Sequence, residues 1–415
     1  MKEISRSKYG ESKANRLLKN KFSWIIAIAS ILLSIRGLLV IEFDIPLAHV
    51  KLLSIGIAFL LVSYGFYLFV ENNDQYLKNL RSILWVNLAL SFFYIFFSLL
   101  LGVYIDAGVF YVLLAPYSIF VFKRLSDKQL YFIVLAIGII LTYSVVDNFY
   151  TSLSGPEGMN EVYTYNLKLK SEDETIGRST SGGRYLRASG YTGNPHDSAN
   201  ILGMLSLFFF VKSLYKKKLY NHVTFLMTGL ALFMTQSATN IMVFIFIIFI
   251  YLIIYFNRLY IYDYFKLFVG LLIVVYFEWE TLTIFLSRIG MDGDWIGMTK
   301  GLDIDDWLRA SLFIITGHAD AFDMGVIYSE LSYVKMLFNF GIIHFCILFA
   351  IMLYPLWQIK PEKWFALELA PAVAVVGFAF LSLLHFGSVF RGTNIFLFYI
   401  IYASLLKNTH IKFYR

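Results

Sequence analysis

Stretches of roughly twenty apolar residues recur along the whole chain, and no other feature limits its fold so strongly. A helix needs about 20 residues to cross a hydrocarbon core about 30 Å thick. Runs that meet or approach this length lie at 22–41, 50–70, 82–102, 107–122, 129–146, 195–214, 222–236, 238–256, 265–277, 329–353, 364–386 and 393–406. A 415-residue chain that is 59% hydrophobic and 15% charged has too little polar surface for a soluble domain. Backbone groups left unpaired in lipid are too costly for open strands, and the residue-by-residue alternation of a membrane barrel is missing. The sequence therefore predicts an all-α integral membrane protein with about 12 transmembrane helices, residues 1–415 forming one polytopic domain.

Orientation follows from Lys and Arg. If the N-terminus is cytoplasmic, the predicted cytoplasmic pieces hold about 21 of the 35 basic residues. They include the basic tail at 1–21, Lys123 and Arg124, Lys216 to Lys218, and Lys360 with Lys363. An even number of spans also puts Lys407, Lys412 and Arg415 inside, so both termini are expected in the cytoplasm. The net charge of +7 then reads as an orientation signal in contact with anionic lipid, not as nucleic-acid binding. Cys346 is the only cysteine, which excludes an internal disulfide and a thiolate metal cluster.

Two connections are long, 147–194 and 278–328, and this topology places both outside the cytoplasm. Long loops in compact proteins usually carry function or are disordered. The first passes from the acidic Glu172, Asp173 and Glu174 to a basic, glycine-rich run containing Gly182, Gly183, Arg184, Arg187, Gly190 and Gly193. It ends at Asn194-Pro195, an N-cap followed by proline at the first helical position, where backbone donors favour an anion. The second loop holds an amphipathic segment at 304–315, suited to lying along the membrane surface. Gly317-His318 and Ser329-Glu330 follow it. Asp303, Asp305 and Asp306 have no His or further carboxylates at a ligand spacing, so a solvated helix start is expected there and no metal or other cofactor.

The run Arg187-Ala188-Ser189-Gly190 with Asn194-Pro195-His196 and Ala199 resembles the R-x-x-G…N-P-N-x-x-A signature of the O-antigen polymerase (Wzy) and O-antigen ligase superfamily. Trp307, Gly317-His318, Ser329-Glu330, Tyr333 and Gly341 are similar to that superfamily's second marker. The chain departs from the pattern at His196, where Asn is commoner, and at Ser329-Glu330, where ligases usually show His-Asn. The second departure favours the polymerase branch. What the resemblance implies is a GT-C-like glycosyltransferase in the bacterial inner membrane. Its donor and acceptor would be undecaprenyl-diphosphate-linked oligosaccharides, joined at the outer face without a metal and with inversion. A chain-length regulator and a flippase are the expected protein partners, by analogy alone.

In such a transfer negative charge grows on the departing diphosphate, and fixed cations beside it stabilise the transition state. Arginine suits this role because its planar fork stays protonated and matches phosphate bidentately. Arg187 is the first candidate and Arg184 the second. The attacking hydroxyl needs a proton acceptor, for which His318 and Glu330 are the candidates. Structural readings stand beside these: an exposed loop arginine, a loop histidine bonded to its own backbone, a carboxylate favouring a helix start. Asn194 and His196 are candidate substrate contacts or ordinary residues of a helix start. Arg36 lies in an apolar run, where it needs a partner, a cavity or a path to the interface. Arg288 and Arg391 would line a glycan groove or belong to the surface. Two alternatives to polymerisation remain: O-antigen ligase, delivering glycan to lipid A core, and a flippase or transporter of lipid-linked sugars.

Overall fold

The computed structural model describes residues 13–71, 77–100, 107–169, 180–181, 185–186, 188–216, 218–255, 317, 332–359, 369–383 and 394–411. Within them the regular structure is helical apart from one two-residue antiparallel pair. The helices are α1 (Lys13–Ser34), α2 (Gly37–Ile41), α3 (Leu47–Glu71), α4 (Lys78–Leu100), α5 (Ala107–Leu114), α6 (Ile119–Phe122) and α7 (Asp127–Leu153). They continue with α8 (Pro156–Leu169), α9 (Pro195–Tyr215), α10 (Leu219–Met234), α11 (Ala238–Tyr255), α12 (Ser332–Trp357), α13 (Ala370–Ser382) and α14 (Asn394–Ile411). The pair is β1 (Thr180–Ser181) with β2 (Tyr185–Leu186), Thr180 facing Leu186 and Ser181 facing Tyr185.

Among the described residues, 5 helices are long and apolar enough to cross a membrane: α3, α4, α7, and the segments Pro195–Leu214 of α9 and Met336–Trp357 of α12. Shorter apolar stretches occur in α1, α10, α11, α13 and α14. Large apolar side chains cover the outside, including Phe59, Leu60, Phe92, Leu99 and Phe249. A soluble fold does not tolerate an apolar surface of this extent, and lipid requires it. The architecture is that of a helical membrane protein. At its centre stands α9, 83% of whose apolar stretch is buried within the protein, against 28% for α4 at the periphery. α9 packs on α10, α13, α11 and α7.

Several hydroxyls within the spans are satisfied locally. The hydroxyls of Ser30, Ser54, Ser91 and Thr228 each donate to the carbonyl four residues back. This is how serine and threonine sit in helices surrounded by lipid. α7 opens with a full capping box, the Ser126 hydroxyl accepting from Gln129 N (3.3 Å) while Gln129 Oε1 accepts from Ser126 N (2.9 Å).

The helix ends sort by charge. Phe22 meets Tyr64, whose hydroxyl accepts from Arg124 (2.9 Å). Lys407 lies 3.5 Å from Asp127 and donates to Leu125 O, and Lys212 sits 4.0 Å above the Tyr131 ring. Tyr131 also touches Tyr220, beside Lys218. The start of the described chain, the α6–α7 and α9–α10 connections and the end of α14 thus share one basic end. The 188–194 turn and the starts of α9, α11 and α12 lie at the other, here called the turn end.

The apolar runs differ from regular helices in three places. The first is broken at Ile35 and Arg36, between α1 and α2. In the fourth, Pro116 imposes a 3-10 turn at Ala115–Ser118 between α5 and α6. There the Asn87 amide donates to Leu113 O (3.0 Å), supplying a partner at a break that lipid would not. α12 has non-helical backbone at Gly341 (φ +75). The stretch expected as the first long loop is partly helical: α7 continues to Leu153, and α8 fills Pro156–Leu169. The amphipathic segment expected at 304–315 lies outside the described residues.

Candidate functional site

The turn from Ala188 to Asn194 is pinned by α2, α7 and α8. Ala188 and Ser189 are fully buried. The Ser189 hydroxyl donates to the Asn166 side-chain oxygen on α8, and Tyr191 N donates to Ser144 Oγ on α7 (3.2 Å). The Tyr191 hydroxyl donates to Glu42 at the end of α2 (2.5 Å). Gly37 makes the approach of α2 possible: a Cβ there would lie 1.8 Å from the Tyr191 carbonyl oxygen. Thr192 Oγ1 joins the turn to α9, lying 2.7 Å from Ser198 Oγ and donating to Asn194 O (2.7 Å) or to Ser189 O (2.9 Å). Gly193 then turns the chain at φ +69 with Leu169 packed against it. Asn194 takes extended backbone, and its side-chain oxygen caps His196 N (2.9 Å) above Pro195.

Two phenols line the α8 side. The rings of Tyr165 and Tyr191 are 6.5 Å apart. Burial holds both hydroxyls protonated beyond the ordinary tyrosine range. For Tyr191 the bond to Glu42 and its charge reinforce burial; for Tyr165 the Tyr191 hydroxyl, Glu42 and Asp147 do so. The Tyr191 hydroxyl is accordingly the donor in its bond to Glu42.

The starts of α9 and α11 meet beside the turn. His196 Nδ1 lies 3.1 Å from Ser237 Oγ, which also accepts from the Asn240 amide (2.9 Å). Gln236, just before Ser237, holds φ +53. One turn into α9, Asn200 is 0% exposed, and neither polar atom of its side chain has a hydrogen-bond partner among the described residues.

A third feature is the break in α12. Gly317, from the stretch expected as the second long loop, packs against it so closely that a Cβ would lie 2.5 Å from the Phe340 carbonyl carbon and 2.7 Å from Gly341 N. α12 is tied to α13 by Tyr333, whose N donates to Leu383 O (3.3 Å) and whose hydroxyl donates to Phe380 O. Two glycines of the second sequence marker, far apart in the chain, are in contact.

Of the candidates read from sequence, Asn194 and His196 stand at the α9 start as capping residue and Ser237 partner. Arg36 occupies the α1–α2 break, partly exposed and next to Gly37, so the turn abuts its neighbour. It is thus at a helix end and not within an unbroken span. Arg184, Arg187, Arg288, His318, Glu330 and Arg391 lie outside the described residues. Arg184 and Arg187 immediately flank β2 in sequence, and β2 packs on α7 and α8. Among the described residues no group of three His, Cys, Asp or Glu side chains could hold a metal.

Sequence reasoning missed Glu42, Ser144, Asn166, Ser237, Asn240 and Asn200. Asn200 had a signal, an amide four residues after His196 on the same helix face. Ser237 had another, a capping residue before an apolar run. Nothing local marks Glu42, Ser144 or Asn166, which matter only through contacts across the fold. No family model matches the chain, and neither the curated proteins nor the solved structures give a match.

Proposed function

We propose that the protein polymerises undecaprenyl-diphosphate-linked oligosaccharide repeat units into O-antigen, capsule or exopolysaccharide on the outer face of the bacterial inner membrane. In this reading about twelve spans cross the membrane in a GT-C-like arrangement with both termini cytoplasmic, and the turn end faces outward. The observation that carries it is the turn at 188–194. A segment between a candidate arginine and a capped helix start is fixed by α2, α7 and α8 at the end of the bundle opposite the gathered lysines and arginines. A rigid seat of that kind is what pre-organised charge stabilisation needs.

The reaction is a substitution at the anomeric carbon of the donor. A hydroxyl of the acceptor's non-reducing end attacks with inversion, and the bond from that carbon to the diphosphate oxygen breaks. Its proton passes to His318 or Glu330, and the diphosphate leaves on the lipid with its charge met by Arg187 and Arg184. Arg36, Arg288 and Arg391 are further substrate contacts in this reading, and Asn194 with His196 holds the α9 start.

Deletion of the gene in its native host, with surface polysaccharide resolved on a gel, tests this directly. Loss of the polymerase leaves single repeat units on the acceptor. Loss of a ligase leaves no attached glycan, and loss of a flippase blocks export of units. Either of the latter two patterns removes the assignment. Arg187→Ala should abolish the ladder at unchanged membrane abundance, and a normal ladder from that variant would remove Arg187 from the mechanism. Glu330→Gln should do the same if Glu330 is the base, and full activity there would leave His318.

A further inference from the structure

Apart from Asp197, the described side chains where α9 and α11 begin are neutral and rich in amides. His196 meets Ser237 there and Ser237 meets Asn240, with Gln236 just before Ser237 and Asn200 one turn into α9. Asn200 follows His196 by one turn, so the two share a face. Cα–Cβ bonds of a helix lean toward its N-terminus, which directs the Asn200 amide back toward the turn that carries His196. That amide is 0% exposed with both polar atoms unpartnered among the described residues, whereas buried amides are ordinarily bonded.

The chemistry of the cluster selects its ligand. Among the described residues an anion would meet no cationic side chain in this cluster, and Asp197 in the first turn of α9 would repel it. Among the described residues a metal cation would find amides and one carboxylate, too few charged oxygens to hold it. A neutral hydroxyl fits, because an amide both donates and accepts, as a hydroxyl does. The enclosure of Asn200 restricts what reaches it to a small group.

The geometry points to a sugar subsite: His196, Asn200, Ser237 and Asn240 receive a hydroxyl or hydroxymethyl arm of the oligosaccharide, separate from contacts to the diphosphate. This rests on the polymerase reading and adds to it a determinant of which sugar is accepted. His196, the half-buried member, forms the rim, and Asn200 receives the arm.

The test uses the full-length protein in lipid nanodiscs and two probes, the lipid-linked repeat unit extracted from the native host and undecaprenyl diphosphate without sugar. Asn200→Leu removes two unmet polar atoms and should accumulate like the wild type. It should weaken binding of the glycan-bearing probe about tenfold, the loss of two neutral hydrogen bonds, and leave the bare carrier unchanged. Asn240→Ala gives the same selective loss and serves if Asn200→Leu fails to accumulate. Unchanged binding of both probes overturns the subsite, as does equal weakening of both, which would mark a carrier site. If the wild type binds neither probe, the polymerase reading itself falls.

Discussion

Gly193 shows how much of the candidate site depends on single positions. Its φ of +69 lies where a side chain is strained, and a Cβ would come within 2.7 Å of the Leu169 Cβ. Gly193→Ala should therefore cost about 1–2 kcal/mol from backbone strain alone, more if Leu169 cannot yield. It should loosen the turn before it unfolds the bundle. The measurable result is early proteolysis within 185–195 with thermal unfolding little changed, and unaltered proteolysis would show that the turn is not held here. Tyr191 gives a pH dependence at the same scale. Burial and Glu42 raise its folded pKa above the ordinary value of 10.0, so the fold keeps the full benefit below pH 10. As pH rises further the unfolded chain ionises first, and stability falls until the folded hydroxyl also ionises. Tyr191→Phe should flatten that alkaline loss without abolishing it, since Tyr165 is shifted the same way. The turn and its capped helix were legible from Gly193, Asn194 and Pro195. Glu42 was not, because its role exists only once α2 folds back across the chain.

Between elements, the seam joining α4, α5 and α12 is fastened by one side chain with two bonds. The Asn87 amide donates to Leu113 O (3.0 Å), which turns its oxygen toward His344 Nε2 at 3.2 Å. An amide oxygen only accepts, so His344 carries its proton on Nε2. Both side chains are buried, Asn87 at 0% and His344 at 3% exposed. Asn87→Leu would take the side-chain donor from Leu113 O and leave the imidazole N–H only the longer contact to Ser91 Oγ (3.5 Å), at a cost of about 2 kcal/mol. His344→Leu alone strands only the amide oxygen. The cost of the double variant should be well below the sum of the single ones, because each removes the other's lost partner. Thermal unfolding of the four proteins in one detergent measures this, and strict additivity would show that the pair does not interact. The apolar runs announced these helices, since period and length are local. The 3-10 turn at Pro116 was readable in principle. That a remote asparagine would complete it was not, because pairing across a seam leaves no trace in either run.

Across the whole molecule, everything proposed for the turn end requires it to face away from the cytoplasm. The charge pattern predicts this, and the folded chain sharpens it by drawing Arg124, Lys212, Lys218 and Lys407 to one end. Insertion follows the excess of lysine and arginine in short loops, so that end should remain inside. Cys346 is exposed and must first be replaced, by Cys346→Ala. A single thiol is then introduced at an exposed position at each end, Asn160→Cys on α8 and Lys218→Cys before α10. In intact spheroplasts a membrane-impermeant maleimide should label the first and not the second, and permeabilised cells should label both. The reverse pattern would put the turn, the α9 and α11 starts and the α12 break in the cytoplasm. It would leave the arginines beside the wrong leaflet for chain extension outside the cell. Labelling of both thiols in intact cells would mean that the lysine-rich end does not set the orientation. The experiment thus bears on the helical architecture and on the proposed chemistry separately: a polymerase needs the turn end outward, whereas a helical membrane protein of another kind is free to insert either way.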